Sequence, residues 1–232
     1  MNLPELLQSL FPQGHTIENN DWMLHGEAQC GGKTVGVLGT YNHVSIGIRE
    51  VTALSEQLLA FVAKHPGRPI VMLVDNEGQR MSLDEELLVL PEFIAHLLKV
   101  QQLARRQGCK LLAIVHGHSI AGGFIAFGML ADRIVSLPGA ETSVMKLEAI
   151  SRVTKMPLEK LEDLAKQVSV FAPGCENFYK MGGLYECWTE DFAGHLAQML
   201  ETDMSQDIRC ELGLQRGGRT AARQVIEDVL HA

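Results

Sequence analysis

Excess positive charge is missing from this sequence: 20 lysines and arginines stand against 28 aspartates and glutamates, a formal net charge of −8. A nucleic-acid binder needs clustered positive charge for phosphates, so that class is set aside. Paired cysteines are missing as well. Cys30, Cys109, Cys175, Cys187 and Cys210 are odd in number, widely spaced and contain no C-x-x-C pair. That argues against a zinc ribbon and a disulfide framework. All five are expected to be small buried apolar residues, and no metal is expected. No apolar run reaches the roughly 20 residues that span a bilayer. The opening "MNLPELLQSLFPQG" has neither a basic n-region nor a long apolar h-region, so no signal peptide is read there. A cytoplasmic location is the expectation.

What the sequence does have is apolar content, 46% of 232 residues, enough for one sizeable core. Residues 2–10 form a short amphipathic pattern. Residues 21–41 read as two strands turning at Gly31-Gly32. Ile48, Val51, Leu54, Leu58, Phe61 and Val62 recur at helical spacing within 47–64, and Pro66-Gly67 stops that helix. "PIVMLVD" at 69–75 is a continuous apolar run, as in a strand covered on both faces, and "NEGQRM" follows as a loop. Ser82 with Glu85 is a capping box that opens a helical stretch to about Gln107, interrupted at Pro91 and stopped by Gly108. "CKLLAIVHG" is a second buried strand, a helix runs from the following glycines to about Ala131, and "DRIVSLP" is a further strand.

This order predicts an α/β protein, with a strand–strand–helix unit used more than once. From about 141 onward helical stretches dominate, at 144–153, 157–168, 188–204 and 218–231, with a loop-rich "FAPGCENFYKMGGLYECW" between them. The expectation is a single domain over 1–232: a core over about 1–146 and a helical extension over 147–232 that packs on a partner.

Two stretches carry candidate chemistry. Ser119, in Gly117-His118-Ser119-Ile120-Ala121, has the strand–turn–helix setting of a nucleophile elbow. A triad of that kind needs an acid and then a histidine downstream. Of the histidines that follow, His195 reads as mid-helix and His231 is penultimate. Ser119 therefore reads better as a small polar residue in a tight turn. Gly122-Gly123 precede an apolar helix whose first N–H groups lack intrahelical partners, a setting that can hold a developing oxyanion or simply permit close packing. On this stretch alone the two readings stand level. "VDNEGQRM", residues 74–81, is a second glycine turn at the end of a buried strand. Two such turns after neighbouring strands can aim one N–H each at a single carbonyl, an oxyanion hole without a nucleophile, acid or base.

Together, "VDNEGQRM" and "IVHGHSIAGGFIAFGMLADRIVSLPGAE" resemble the crotonase-like superfamily in its acyl-CoA carboxyltransferase branch. "GKTVGVLGTYNHVSIG" looks like that branch's early hairpin. "KMPLEKLEDLAKQVSVFAPGCENFYKMGGLYECW" is similar to the gamma subunits of malonate decarboxylase. The resemblance implies a crotonase-like spiral of strand–strand–helix units with the helical extension. It implies work with a beta subunit in a hetero-oligomer, decarboxylating malonyl thioester on an acyl carrier protein through its CoA-like, phosphopantetheine-type arm, as part of malonate catabolism. Donor turns then fall at Gly78-Gln79 and Gly122-Gly123, stabilising the enolate or the carboxyl group. The gamma subunits resemble the half of a carboxyltransferase that faces the carboxyl acceptor, often biotin. Arg80, His118 and Ser119 fall beside substrate, although the role favoured for Arg80 is structural, holding the turn by pairing with an acid such as Asp75. His116, on the strand, reads as a core histidine. Met145-Lys146 lies in a helical stretch and is no biotin-attachment site, so no covalent cofactor is expected. The alternatives are an acyl-CoA hydratase or isomerase using Glu77 or Asp75, an esterase using Ser119, and a non-catalytic scaffold subunit.

Overall fold

The computed structural model describes residues 1–168, 172–218 and 220–231. In chain order these form α1 (Leu3–Leu10), β1 (Glu18–Asn20), β2 (Met23–Cys30), β3 (Lys33–Thr40), β4 (Val44–Ile46), α2 (Ile48–Lys64), β5 (Ile70–Gln79), α3 (Leu83–Leu87), α4 (Leu90–Arg106), β6 (Leu111–Ile120) and α5 (Ala121–Ala126). Then come β7 (Arg133–Ser136), β8 (Glu141–Ser143), α6 (Leu147–Thr154), α7 (Leu158–Gln167), α8 (Cys175–Lys180), β9 (Glu186–Cys187), α9 (Phe192–Glu201), α10 (Arg209–Gln215) and α11 (Arg223–Leu230).

Local punctuation sets many of these ends. Gly31 and Gly32 both take positive φ (57° and 75°), closing the β2–β3 hairpin with Cys30 opposite Lys33. The Ser82 hydroxyl accepts the Glu85 N–H at the start of α3. Pro91 lies in the first turn of α4, where its missing N–H costs nothing, so the interrupted stretch becomes two helices. Gly108, at φ 84°, lies just past the end of α4.

The main ladder runs β1-β2-β3-β5-β6-β7-β9, antiparallel across the first three strands and parallel thereafter. β5 and β6 are long enough to serve twice. Their first halves pair with β3 and β7; their second halves pair with β4 and β8. The order β3-β5-β6-β7 is thus repeated above itself as β4-β5-β6-β8. Between the two levels the register breaks: Val74 faces Val115, but Asn76 faces Ser119, so β6 bulges at His116-Gly117-His118 opposite Asp75. Each unit supplies one strand to each level and then a helix, and in the two middle units the strands are fused into one. This is the strand–strand–helix repeat that the sequence suggested. The stretch 76–79, expected as a loop, remains strand because β4 and β6 take up its backbone polar groups. The helix expected to reach Ala131 ends at Ala126.

Both faces of the main ladder are covered, which is why its strands are continuous apolar runs. Leu54 and Leu58 of α2 and Leu97 of α4 pack with Met72, Val74 and Val115 on one face. Leu7 and Leu10 of α1 and Leu196 and Met199 of α9 pack with Leu73 and Ile114 on the other. The C-terminal extension is therefore divided. Its 175–204 portion, with Phe178, Leu184, Trp188 and Phe192 buried, packs on the chain's own sheet through β9 and α9. α6 and α11 bury none of their described residues, and α7 buries Leu161. The helix expected over 218–231 is α11, and Phe171 and Arg219 lie outside the described residues. The cysteine expectation is corrected in part: Cys30 and Cys109 are buried, but Cys187 and Cys210 are exposed. Burial pushes the Cys30 thiol up to about 11, which fits an inert core residue.

Candidate functional site

The two glycine turns meet back to back where β5 and β6 end. Gly78 has φ 101°, a conformation that suits glycine. Gly123 is needed for space instead: a Cβ there would lie 2.7 Å from Gly78 Cα and 2.4 Å from Asn76 Oδ1. Ala121, at φ 45°, turns the chain sharply from β6 into α5, so Gly122 and Gly123 fall in the first helical turn, where N–H groups lack i−4 partners. The Gly122 N–H donates to Gln79 Oε1 at 2.9 Å, and the Gly78 N–H donates to Asn76 Oδ1 at 3.3 Å. Asn76 is fully buried, and its Nδ2 has no acceptor among the described residues. The four expected donor residues thus form one cluster rich in backbone N–H groups, with a side-chain amide oxygen already seated on two of them.

Arg80 points away from this junction. Its guanidinium holds Glu50 at 2.9 Å and Glu85 at 3.1 Å and donates to the Ser45 carbonyl at 3.1 Å. These contacts to Glu50, with Glu85 behind them, raise the Arg80 pKa above its ordinary value against a smaller opposing effect of burial. Glu50 and Glu85 are themselves buried and accept the N–H groups of Gly47 and Ile48 at the start of α2. Arg80 therefore locks the first turn to α2 and α3. The acids it pairs with are Glu50 and Glu85, not Asp75, and both terminal nitrogens of its guanidinium are engaged by protein, which corrects its placement beside substrate.

Ser119 is likewise corrected. It is fully buried, and its hydroxyl bonds Thr142 Oγ1 at 2.7 Å and the Glu141 carbonyl at 3.2 Å. That contact fastens β6 to β8 and leaves no surface for a substrate. His195 lies in α9, stacked on Trp188, so no elbow triad assembles around Ser119.

His118 does face the outside of the bulge, in company that the linear order of residues does not reveal. Asp75 is buried and at the centre of the group. Its Oδ1 accepts from the His118 N–H at 2.8 Å and meets His43 Nδ1 at 2.5 Å, and its Oδ2 accepts the His43 N–H at 3.0 Å. Gly117 makes room for this carboxylate, since a Cβ there would lie 2.3 Å from Oδ1. The His43 and His118 rings stack with centroids 4.0 Å apart. His118 Nδ1 bonds Glu77, and its Nε2 lies 3.8 Å from Glu141. His116 sits deeper, with Nε2 at 3.1 Å from the Thr40 carbonyl, and burial lowers its pKa. His43, Glu77 and His118 each bring a donor atom within 4.8 Å of the others. The two rings are only 19° from parallel, however, so their in-plane lone pairs do not converge, and both Nδ1 atoms already face carboxylates. The arrangement suits proton exchange better than metal ligation.

The family model for the malonate decarboxylase gamma subunit matches residues 41–232. The chain belongs to that family. It is 34% identical over 176 residues to the malonyl-S-ACP:biotin-protein carboxyltransferase MADD of Malonomonas rubra, a match covering 68% of this chain and 60% of that protein. The chain thus spans three-fifths of the length of this curated relative. A Pseudomonas malonate decarboxylase hetero-tetramer in complex with coenzyme A contains a chain of the same fold, with a TM-score of 0.74 at 20% identity, covering 96% of this chain and 97% of that one. The transcarboxylase 12S core, solved with methylmalonyl-coenzyme A and methylmalonic acid, gives a TM-score of 0.72 at 19% identity, covering 86% of this chain and 41% of that one. The fold is that of the crotonase-like carboxyltransferases.

Proposed function

We propose that this family member works with a beta-type subunit to decarboxylate a malonyl thioester carried on the phosphopantetheine arm of an acyl carrier protein. The observation that carries the reading is the junction of the two turns, where the Gly122 N–H holds an amide carbonyl oxygen, that of Gln79, at 2.9 Å. A thioester or carboxyl oxygen taking that place, once the Gln79 side chain swings aside, meets a donor fixed by backbone geometry. Loss of CO2 sends the electron pair of the broken C–C bond toward the thioester oxygen. Preorganised N–H donors at about 2.7–3.1 Å are worth on the order of a hundredfold or more each against such charge. Gly78, Gln79, Gly122 and Gly123 supply the candidates; Arg80 and Ser119 hold the turns in place.

Apolar side chains stand exposed on either side of the junction: Met81, Leu83, Leu87 and Leu88 after the first turn, and Ile125 and Val144 beside the second. Patches of this kind mark surfaces that another protein covers, which supports a site completed by the partner. No helix among the described residues is long and apolar enough to cross a membrane.

Co-expression with a beta-type subunit tests the reading. The expected result is a stable complex that releases CO2 from malonyl-carrier thioester. A complex that does not form, or forms without releasing CO2, overturns it, as does rapid hydration of crotonyl-CoA by the chain alone.

A further inference from the structure

Decarboxylation leaves an electron pair on carbon that must be met by a proton, and the donor turns supply none. We propose that His43, held by the buried Asp75, is the acid that delivers this proton. The inference rests on the functional reading above.

Among the described residues, three histidines stand around the bulge from which both turns spring, and imidazole is the side chain that exchanges protons near neutrality. His116 is half-buried and tied to the Thr40 carbonyl, and desolvation lowers its pKa. His118 has carboxylates at both ring nitrogens, Glu77 at Nδ1 and Glu141 near Nε2. His43 differs from both. Its side chain is 53% exposed while Asp75 beside it is 4% exposed. Asp75 grips it twice, through Nδ1 and through its own backbone N–H. That fixes the ring and keeps a proton on Nδ1, so Nε2 is the atom that gives and takes a proton, the geometry of a base oriented by a buried acid.

Position supports the same assignment. His43 stacks on His118, which lies four residues before Gly122, and Asp75 lies three residues before Gly78. Glu77, bonded to His118, lies two residues before Gln79 on β5, so the histidine pair stands at the same end of β5 and β6 as the Gln79–Gly122 contact. The groups facing His43 are Asp75 and Glu77 from β5, His116 and His118 from β6 and, through His118, Glu141 from β8.

The step balances as follows. The C–C bond to the carboxylate breaks, CO2 leaves, and its electron pair is held as the thioester enolate. The pair returns to carbon and forms a C–H bond with the proton on His43 Nε2. The N–H bond breaks, leaving a neutral imidazole whose Nδ1–H stays on the ring, hydrogen-bonded to Asp75, and a solvent proton restores the imidazolium.

His43→Asn is the fold-preserving variant, because asparagine tolerates the positive φ of 49° and its amide still donates to Asp75. In the complex with the beta-type subunit, turnover of malonyl-carrier thioester is expected to fall about 100-fold, the usual share of a general acid. Exchange of the acetyl-thioester α-protons with D2O is expected to fall in parallel, with complex formation and melting temperature unchanged. In His43→Gly, added imidazole is expected to restore both rates, a response that a purely structural role does not give. An active wild type with His43→Asn turnover and exchange within twofold of it overturns this inference alone. Failure of imidazole rescue in a folded His43→Gly complex also overturns it. A wild-type complex that forms but does not decarboxylate malonyl thioester overturns the functional reading, and this inference with it.

Discussion

The two glycine turns sit at equivalent places in successive units yet depend on glycine for different reasons. In the first, Gly78 is required by conformation: φ is 101°, while a Cβ there would make only ordinary contacts, the nearest at 3.4 Å. In the second, Gly122 and Gly123 lie in helical backbone, and it is at Gly123 that space excludes a side chain. The anchors differ too. The first turn is tied down by the Arg80 ion pairs with Glu50 and Glu85, the second by the Ser119–Thr142 hydroxyl contact. A repeated fold element can thus present the same backbone groups through unrelated side-chain chemistry.

Substitutions sharpen that contrast. Gly123→Ala forces a methyl against the Gly78 backbone, which has no rotamer to yield, so the turns must separate. Turnover is expected to disappear and stability to drop by roughly 3 kcal/mol, the upper end for overpacking, read by thermal or urea unfolding. Arg80→Ala leaves two buried carboxylates without their cation. The expected cost is about 3 kcal/mol, at the low end for a broken buried pair because Arg80 is more than a third exposed. Ser119→Ala removes one buried hydroxyl contact and should cost roughly 1–2 kcal/mol with turnover retained. A large loss of turnover there, with the fold intact, would return Ser119 to the chemistry. Gly122→Ala is expected to be mildest for stability, since its methyl meets only the free end of the Gln79 side chain. Adding Gln79→Ala should relieve most of the effect; a double variant as unstable as Gly123→Ala would break the distinction between the two glycines.

Much of this was legible along the chain. Gly31-Gly32, Ser82, Pro91 and Gly108 mark boundaries that the structure keeps, because capping and turn chemistry act over a few residues. The buried strands announced themselves through "PIVMLVD" and "KLLAIV", since a strand covered on both faces has no polar side to show. The upper level of strands was not legible. β4 and β8 have three residues each, and the polar ends of β5 and β6 carry no apolar alternation, so their pairing rests on partners distant in sequence. His43 escaped notice for the same reason: in "TYNHVS" it is one polar residue in a turn, and its carboxylate partner is 32 residues away. Arg80 was recognised as important, but its acids were misassigned, because Glu50 belongs to a different helix and reaches the turn only once α2 is docked.

By itself, then, the sequence determined the α/β class, the two glycine turns, the strand–helix order and the family resemblance, all of which reside in local patterns of residue type. The tertiary structure alone decided that Gly123 rests on Gly78, that Arg80 and Ser119 serve as anchors, and that His43 stands over Asp75. The physical reason is register: a bulge that sets Asn76 opposite Ser119 brings together groups 30 to 45 residues apart, and no local preference encodes where two strands fall out of step.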